Sequence, residues 1–262
     1  MAAFRNSRKN YILHVMLPSR WQKFKNPWVI AGLVLGVLTV AGLVMFFAQV
    51  VIFMRAAQRG EQPVFMQNQK SSAVALLSQA PLSESLLAKL DSGGQRPSLG
   101  NPQAKVRIVE FCDYECSACK RSALEVRAFM SRHPNDVFLT VRDFPAESIH
   151  ENAMDAAIAA HCVFEQNADL YWAYHDLLFN NQGNLQPSDL RGYAGSIGAN
   201  LAKYDTCFRM RAPESAIRSS YADGVALGVQ GTPTFFINGI RIPGALDLAA
   251  LENIFAELKK KL

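Results

Sequence analysis

The longest uncharged and mostly apolar stretch of the chain runs from Asn26 to Met54. A helix needs about 20 apolar residues to cross a bilayer core of roughly 30 Å, so the pattern predicts a transmembrane helix over 27–54. The h-region of a signal peptide spans only about 7–15 residues and ends at a small-residue cleavage site. Here the run is longer and stops at Met54-Arg55. Beyond it, residues 55–97 are rich in Gln, Ser, Gly and Pro and read as a linker. Within it, Val74, Leu76, Leu77, Leu82, Leu86, Leu87 and Leu90 form an apolar pattern broken by Pro81. That predicts two short helices, packed on the following domain or on another subunit.

From about residue 98 the pattern becomes that of a folded domain. Val106-Arg107-Ile108-Val109-Glu110-Phe111 alternates as a strand does, and Leu124, Val126, Phe129 and Met130 share a helical face within 116–133. A second strand is expected over 136–141. Ser148 and Glu151 have the spacing of a capping box ahead of the Ala-rich run from Ala153 to Ala160. Helical stretches continue through Tyr171–Phe179, 188–197 and 213–227. Asn238-Gly239 between two apolar runs predicts a tight hairpin joining strands at 234–237 and 240–242. A closing helix carries Leu248, Leu251, Ile254, Phe255, Leu258 and Leu262. The expected class is α/β, with strands on either side of a helical insertion at about 146–228.

Charge adds orientation. Arg5, Arg8, Lys9, Arg20, Lys23 and Lys25 precede the apolar run with no acid among them, and only Arg55 and Arg59 follow it before Glu61. The positive-inside rule puts the 1–26 tail in the cytoplasm and everything beyond about residue 55 outside. The tail holds six of the 27 Lys and Arg; the other 21 stand against 22 Asp and Glu. The net charge of +5 therefore belongs to the tail, where lipid contact accounts for it, and points to no nucleic-acid surface. The bilayer is the partner of 27–54.

Candidate chemistry lies at Cys116-Ser117-Ala118-Cys119. If Cys116 stands at a helix N-terminus, unpaired N–H groups and the helix dipole stabilise its thiolate. A stabilised thiolate leaves readily, which makes the pair's disulfide oxidising. Cys116 is then the exchanging thiol and Cys119 the resolving one. Half a zinc site or an inert disulfide has the same spacing. However, no second C-x-x-C or paired His motif completes a metal site, and Lys120 replaces the His of a haem attachment motif. Cys112, Cys116 and Cys119 also have the C-x3-C-x2-C spacing of radical SAM iron–sulfur enzymes, a reading that requires a reducing compartment. Neither a metal nor a cofactor is expected. Downstream, Gly231-Thr232-Pro233-Thr234 opens a strand with a proline, which is either an ordinary turn residue or a cis-proline loop beside the thiols.

Taken together, Val109-Glu110-Phe111, Asp113-Tyr114, Cys116-x-x-Cys119, Tyr171-Trp172-x-Tyr174-His175-Asp176-x-Leu178-Phe179 and Gly231-Thr232-Pro233-Thr234-Phe235-Phe236-Ile237-Asn238-Gly239 resemble DsbA-like thioredoxin-fold proteins. The resemblance covers residues 98–262. It implies a thioredoxin-like fold with an inserted helical subdomain, preceded here by one N-terminal transmembrane helix. It also implies protein thiol-disulfide oxidoreductase activity, with Cys116 as nucleophile, Cys119 as resolving cysteine and Thr232-Pro233 as the substrate-facing cis-proline loop. Glu110 falls at the buried acidic position that accepts protons or tunes thiol pKa values; its blander reading is a strand-end surface carboxylate. Some relatives have a second disulfide in the insertion, which makes Cys162 and Cys207 a candidate structural pair, two free buried thiols being the alternative. Two departures stand out: Ser117 where the family often has proline, and Cys112 where a small residue is usual.

The implied partners are cysteine-containing substrate proteins and, for an oxidase, a DsbB-like membrane protein that reoxidises the pair. The implied location is the bacterial inner membrane, single-pass, with the catalytic domain in the periplasm. A disulfide isomerase or reductase, and a thioredoxin-like assembly subunit of an envelope complex, are the competing readings.

Overall fold

The computed structural model describes residues 27–58, 82–91 and 96–262. The basic tail over 1–26, the connector residues 59–81 and the first of the two short helices expected there lie outside the described residues. The chain divides into two units, residues 1–64 and 65–262.

In the first unit, helix α1 covers Pro27–Gln58. Its most apolar window, Ile30–Val51, has 22 residues and a mean hydropathy of 2.5, with no part of it buried. At 1.5 Å per residue it is about 33 Å long, matched to the hydrocarbon core of a bilayer. Leu33, Val34, Leu35, Val37 and Leu38 are all exposed, so the helix is apolar all round, as one solvated by lipid must be.

The second unit contains α2 (Glu84–Asp91), β1 (Ser98–Gly100), β2 (Val106–Cys112), α3 (Ser117–Arg132) and β3 (Val137–Asp143). The helical insertion follows: α4 (Ala153–Phe164), α5 (Ala168–Asn180), α6 (Pro187–Ser196), α7 (Leu201–Arg209) and α8 (Glu214–Ala226). Strands β4 (Thr234–Ile237) and β5 (Ile240–Pro243) and helix α9 (Leu248–Lys259) complete it. The sheet order is β1-β3-β2-β4-β5. Strands β2 and β3 pair in parallel, and the other neighbours are antiparallel. Asn238 and Gly239 turn the β4–β5 hairpin with φ of 47° and 80°, the positive values that a two-residue turn of this kind requires.

Central position explains why β2 does not keep the half-exposed pattern its sequence suggests. Five consecutive residues, Ile108 to Cys112, are buried. One face, with Ile108 and Cys112, packs against Cys119, Val126 and Phe129 of α3. The other, with Val109 and Phe111, packs against Phe144, Leu227 and Phe236. Glu110 falls on the first face by the two-residue period of a strand and is only 3% exposed. The stripe on α3 is Cys119, Ala123, Val126, Phe129 and Met130, while Leu124 faces solvent.

Three local features differ from the sequence pattern. β1 has only three residues and forms by pairing with β3, too short for any periodicity. α7 fully buries only Tyr204, with Leu201, Cys207 and Phe208 packed partly buried beside it; its apolar stripe is short, and the Asn200 side chain starts it by accepting from the Lys203 amide at 3.0 Å. The Ser148–Glu151 capping box does not form. Helix α4 begins at Ala153, and its entry is held instead by Glu115, which accepts from the Asn152 amide at 2.6 Å and its side-chain Nδ2 at 3.0 Å.

One buried cation ties α2 to the sheet. Arg142 on β3 is fully buried. It pairs with Asp223 at 2.6 Å, donates to Ser220 Oγ and to the carbonyls of Lys89 and Leu90, and lies over the Phe111 ring. An uncompensated charge there would cost several kcal/mol; the last carbonyls of α2 supply part of the compensation. Leu82, Leu86 and Leu87 add apolar contact to the same side of the sheet.

Candidate active site

Cys112 ends β2, and the loop Asp113-Tyr114-Glu115 delivers Cys116 to the N-cap of α3 with φ −71° and ψ 117°. No side chain caps this helix and its first turn holds no acid, so the first amides are free to face the Cys116 sulfur. The Cys116 amide donates to the Asp113 carbonyl at 3.1 Å. Gln182, from the insertion, donates to the carbonyls of Tyr114 at 2.6 Å and Cys116 at 2.9 Å. The Tyr-Trp-x-Tyr-His motif of α5 packs behind this loop: the Tyr171 and Tyr114 hydroxyls are 3.0 Å apart, and buried His175 contacts the rings of Tyr114 and Phe179.

The structure brings Cys116 and Cys119 together with Thr232 and Pro233. All three of Cys112, Cys116 and Cys119 are free thiols; Cys116 is half-buried and the other two are buried. The Thr232–Pro233 peptide is cis. The Cys116 thiol donates to the Thr232 carbonyl at 3.2 Å, and Cys119 Sγ accepts from the Asp113 amide at 3.5 Å. Cys162 and Cys207, both in the insertion, are bonded to each other across 45 residues of sequence.

The two thiols of the motif are driven apart in acidity. The Cys116 pKa falls from 9.0 to about 5. A hydrogen bond from the Cys119 thiol is the largest cause; the Thr232 side chain and the amides of Cys119 and Ala118 add to it, and partial burial opposes them. Burial pushes Cys119 well above the ordinary thiol value, reinforced by the hydrogen bonds it gives to Cys112 and Cys116. Burial likewise raises Cys112 to about 12 and Glu110 to about 7, against a hydrogen bond with Cys112 that lowers the carboxyl. Glu110 Oε1 has no hydrogen-bond partner, so Glu110 is a buried carboxyl beneath the thiols and not a surface carboxylate. Among the described residues, no group of three or more His, Cys, Asp and Glu side chains is gathered to hold a metal ion.

A groove of about 680 Å³ opens at Cys116, lined among others by Phe144, Ile149, His150, Tyr221 and Thr232. The sequence pattern does not single out His150. Its ring Nδ1 lies 2.8 Å from Asp113 Oδ2, and Asp113 also accepts from the amides of Ala146 and Glu115 at 2.8 Å each. Asp113-Tyr114 is part of the sequence motif, but Ala146 and His150, which meet the Asp113 carboxylate, stand more than 30 residues away in sequence.

Comparison with known proteins agrees with this geometry. The thioredoxin family model matches residues 92–257. A thioredoxin-like oxidoreductase from Silicibacter pomeroyi DSS-3 superposes with a TM-score of 0.59 at 28% identity, covering 68% of this chain and 99% of that one. The thiol-disulfide exchange protein alpha-DsbA2 from Wolbachia pipientis gives a TM-score of 0.61 at 22% identity, over 76% of this chain and all of that one. Among curated sequences, the Na(+)/H(+) antiporter NhaA 1 of Salinispora arenicola is 36% identical over 154 residues, which are 58% of this chain and 23% of that protein. The chain thus spans about a quarter of the length of the curated relatives it matches.

Proposed function

The chain belongs to the thioredoxin family and has the fold of the DsbA-like thiol-disulfide oxidoreductases, and we propose that it is an oxidase that donates a Cys116–Cys119 disulfide to substrate proteins outside the cytoplasm. The observation that carries this reading is the asymmetry of the pair: Cys116 half-buried with a pKa near 5, Cys119 buried and held far above it. At neutral pH Cys116 is a stable thiolate, so it leaves easily and its disulfide is easily reduced.

In the proposed cycle a substrate thiolate attacks Cys116 Sγ. The Cys116–Cys119 bond breaks, and its electron pair goes to Cys119, which takes up a proton from Glu110. A second substrate thiolate then attacks the substrate sulfur of the mixed disulfide, and Cys116 leaves as thiolate. The substrate dithiol loses two electrons and the pair gains them. A quinone-linked, DsbB-like membrane protein would take these electrons on. Thr232 lines the groove where an extended substrate chain would lie, with the cis Pro233 following it, and Cys162–Cys207 braces the insertion.

In this reading α1 anchors the protein in the bacterial inner membrane. The basic residues before α1 support a cytoplasmic N-terminus and a periplasmic domain. The proposed divisions are tail 1–26, anchor 27–54, linker 55–97 and catalytic domain 98–262. The test is the redox state in cells together with trapping. Acid-quenched alkylation should find the pair mostly oxidised, and a Cys119→Ala variant should hold envelope proteins as mixed disulfides on Cys116. A pair found mostly reduced would overturn the oxidase direction.

A further inference from the structure

His150 is a titratable group in the catalytic groove that the exchange steps above leave unused. It lines the groove with Cys116 and Thr232, and its side chain is 23% exposed, whereas that of Asp113 is fully buried. The Asp113 carboxylate is a fixed point. It accepts from His150, Ala146 and Glu115, and the backbone of the same residue touches both cysteines, its carbonyl taking the Cys116 amide and its amide pointing at Cys119 Sγ. The loop that carries the nucleophile therefore also orients the imidazole. With Nδ1–H given to Asp113, the neutral ring carries its lone pair on Nε2.

This places an oriented imidazole in the same groove as the exchanging sulfur. The charged groups around the ring are Asp113, Glu115 and the Cys116 thiolate, with Glu147 and Arg218 elsewhere on the groove wall. Arg218 is itself paired with Glu147 at 3.1 Å and Glu214 at 2.7 Å. Partial burial works against the charged ring, but Asp113, Cys116 and Glu115 outweigh it and leave the His150 pKa above the ordinary value. One of those supports depends on redox state. The Cys116 thiolate exists only in the dithiol form, so the ring is less basic beside the disulfide and more basic beside the thiolate.

We propose that His150, oriented by Asp113, is a catalytic acid–base residue of the exchange reaction: it takes the proton of the incoming substrate thiol and then keeps it as counter-cation of the Cys116 thiolate. The proposal rests on the oxidoreductase reading and adds the proton path to it. In the first step the substrate S–H proton passes to Nε2 as the substrate sulfur bonds to Cys116 Sγ, the Cys116–Cys119 bond breaks and Cys119 accepts the electron pair. When a second substrate thiolate releases Cys116, the imidazolium already stands beside the departing thiolate. The proton is given up when Cys116 is reoxidised and the thiolate charge disappears.

The test uses the full chain in detergent micelles. The disulfide form is reacted with a synthetic dithiol peptide between pH 5.5 and 8, and the dithiol form is titrated by thiolate absorbance near 240 nm. General acid–base contributions are typically 10²–10⁴-fold. His150→Gln is expected to slow peptide oxidation at pH 7 at least about tenfold, with partial rescue by free imidazole. It should also raise the Cys116 titration by about one pH unit, a tenfold change in the thiol–thiolate ratio. His150→Lys keeps a cation but no base at pH 7; it should hold the Cys116 titration low without restoring the rate. A wild-type rate in His150→Gln, an unmoved Cys116 titration in that variant, or a full rate in His150→Lys overturns the proposal. If the unaltered chain oxidises no peptide, the oxidase reading fails, and the Cys116 titration of His150→Gln still decides whether the two residues are coupled.

Discussion

The Cys116 sulfur lies 3.2 Å from the Thr232 carbonyl oxygen, although 116 residues separate the two. Residue 232 contributes in two ways that belong to different protonation states. The carbonyl accepts from the thiol, whereas the Thr232 side chain stabilises the thiolate. Thr232→Val keeps the branched shape and removes the hydroxyl. A single hydrogen bond is worth about 1 kcal/mol, so the Cys116 pKa should rise from about 5 by roughly half to one unit. The pair should become less oxidising in equilibrium with glutathione. A thiolate titration identical to that of the parent would show that the hydroxyl plays no part.

The depressed Cys116 pKa sets how the reduction potential varies with pH. Reduction takes up two protons below that pKa and one above it. For a two-electron couple each proton contributes about 30 mV per pH unit. The midpoint potential should therefore fall by about 60 mV per pH unit below pH 5 and less steeply above it, approaching about 30 mV per unit once His150 no longer takes up a proton on reduction. The sign for stability agrees. A group whose folded pKa lies below its unfolded value favours the folded dithiol form above the unfolded pKa, and the benefit is lost as pH drops through about 5. Direct potentiometry would reveal a single slope if Cys116 titrated normally.

Glu110 has the opposite sign. Its folded pKa of about 7 lies above the unfolded carboxylate value, so between these limits the folded state holds a proton that the unfolded state has lost, and stability declines as pH rises. Above pH 7 the buried charge costs on the order of 3 kcal/mol. Glu110→Gln removes that charge. Its melting temperature relative to the parent should improve from pH 5 to pH 8, while exchange slows because Cys119 loses a proton partner. A melting difference that is flat with pH would rule out an ionising Glu110 in the core.

The Cys162–Cys207 bond closes a loop of 45 residues within the insertion. Chain-entropy reasoning assigns such a closure about 2–4 kcal/mol. Replacing both cysteines by alanine should lower thermal stability accordingly. Cys116 and Cys119 lie elsewhere, so the thiolate titration of Cys116 should be unchanged. A change in that titration would mean that the insertion transmits strain to the site.

How much of this was legible beforehand depends on how local each signal is. Cys116, Cys119 and Thr232-Pro233 announce themselves by type and spacing, and Asn238-Gly239 does so because its turn chemistry is written in two adjacent residues. The α1 span needs only composition. The Asp113–His150 pair and the Glu115–Asn152 contact depend on where the end of β3 returns beside the loop after β2, which no short pattern encodes. The same return explains why Ser148 and Glu151 mislead: the entry to α4 already has its carboxylate, from Glu115. Arg142 reads as an ordinary strand-end charge until the fold surrounds it.

That arginine has a practical consequence for anyone preparing a soluble version of the domain. A cut at residue 98, where the strand-and-helix pattern starts, would discard the Lys89 and Leu90 carbonyls that receive its guanidinium. It would also bare the Phe111 and Phe236 side of the sheet that Leu86, Leu87 and Leu90 cover. The product should be prone to aggregation through that newly wetted face. A cut at or before Leu82 retains the lid and leaves the buried cation its acceptors.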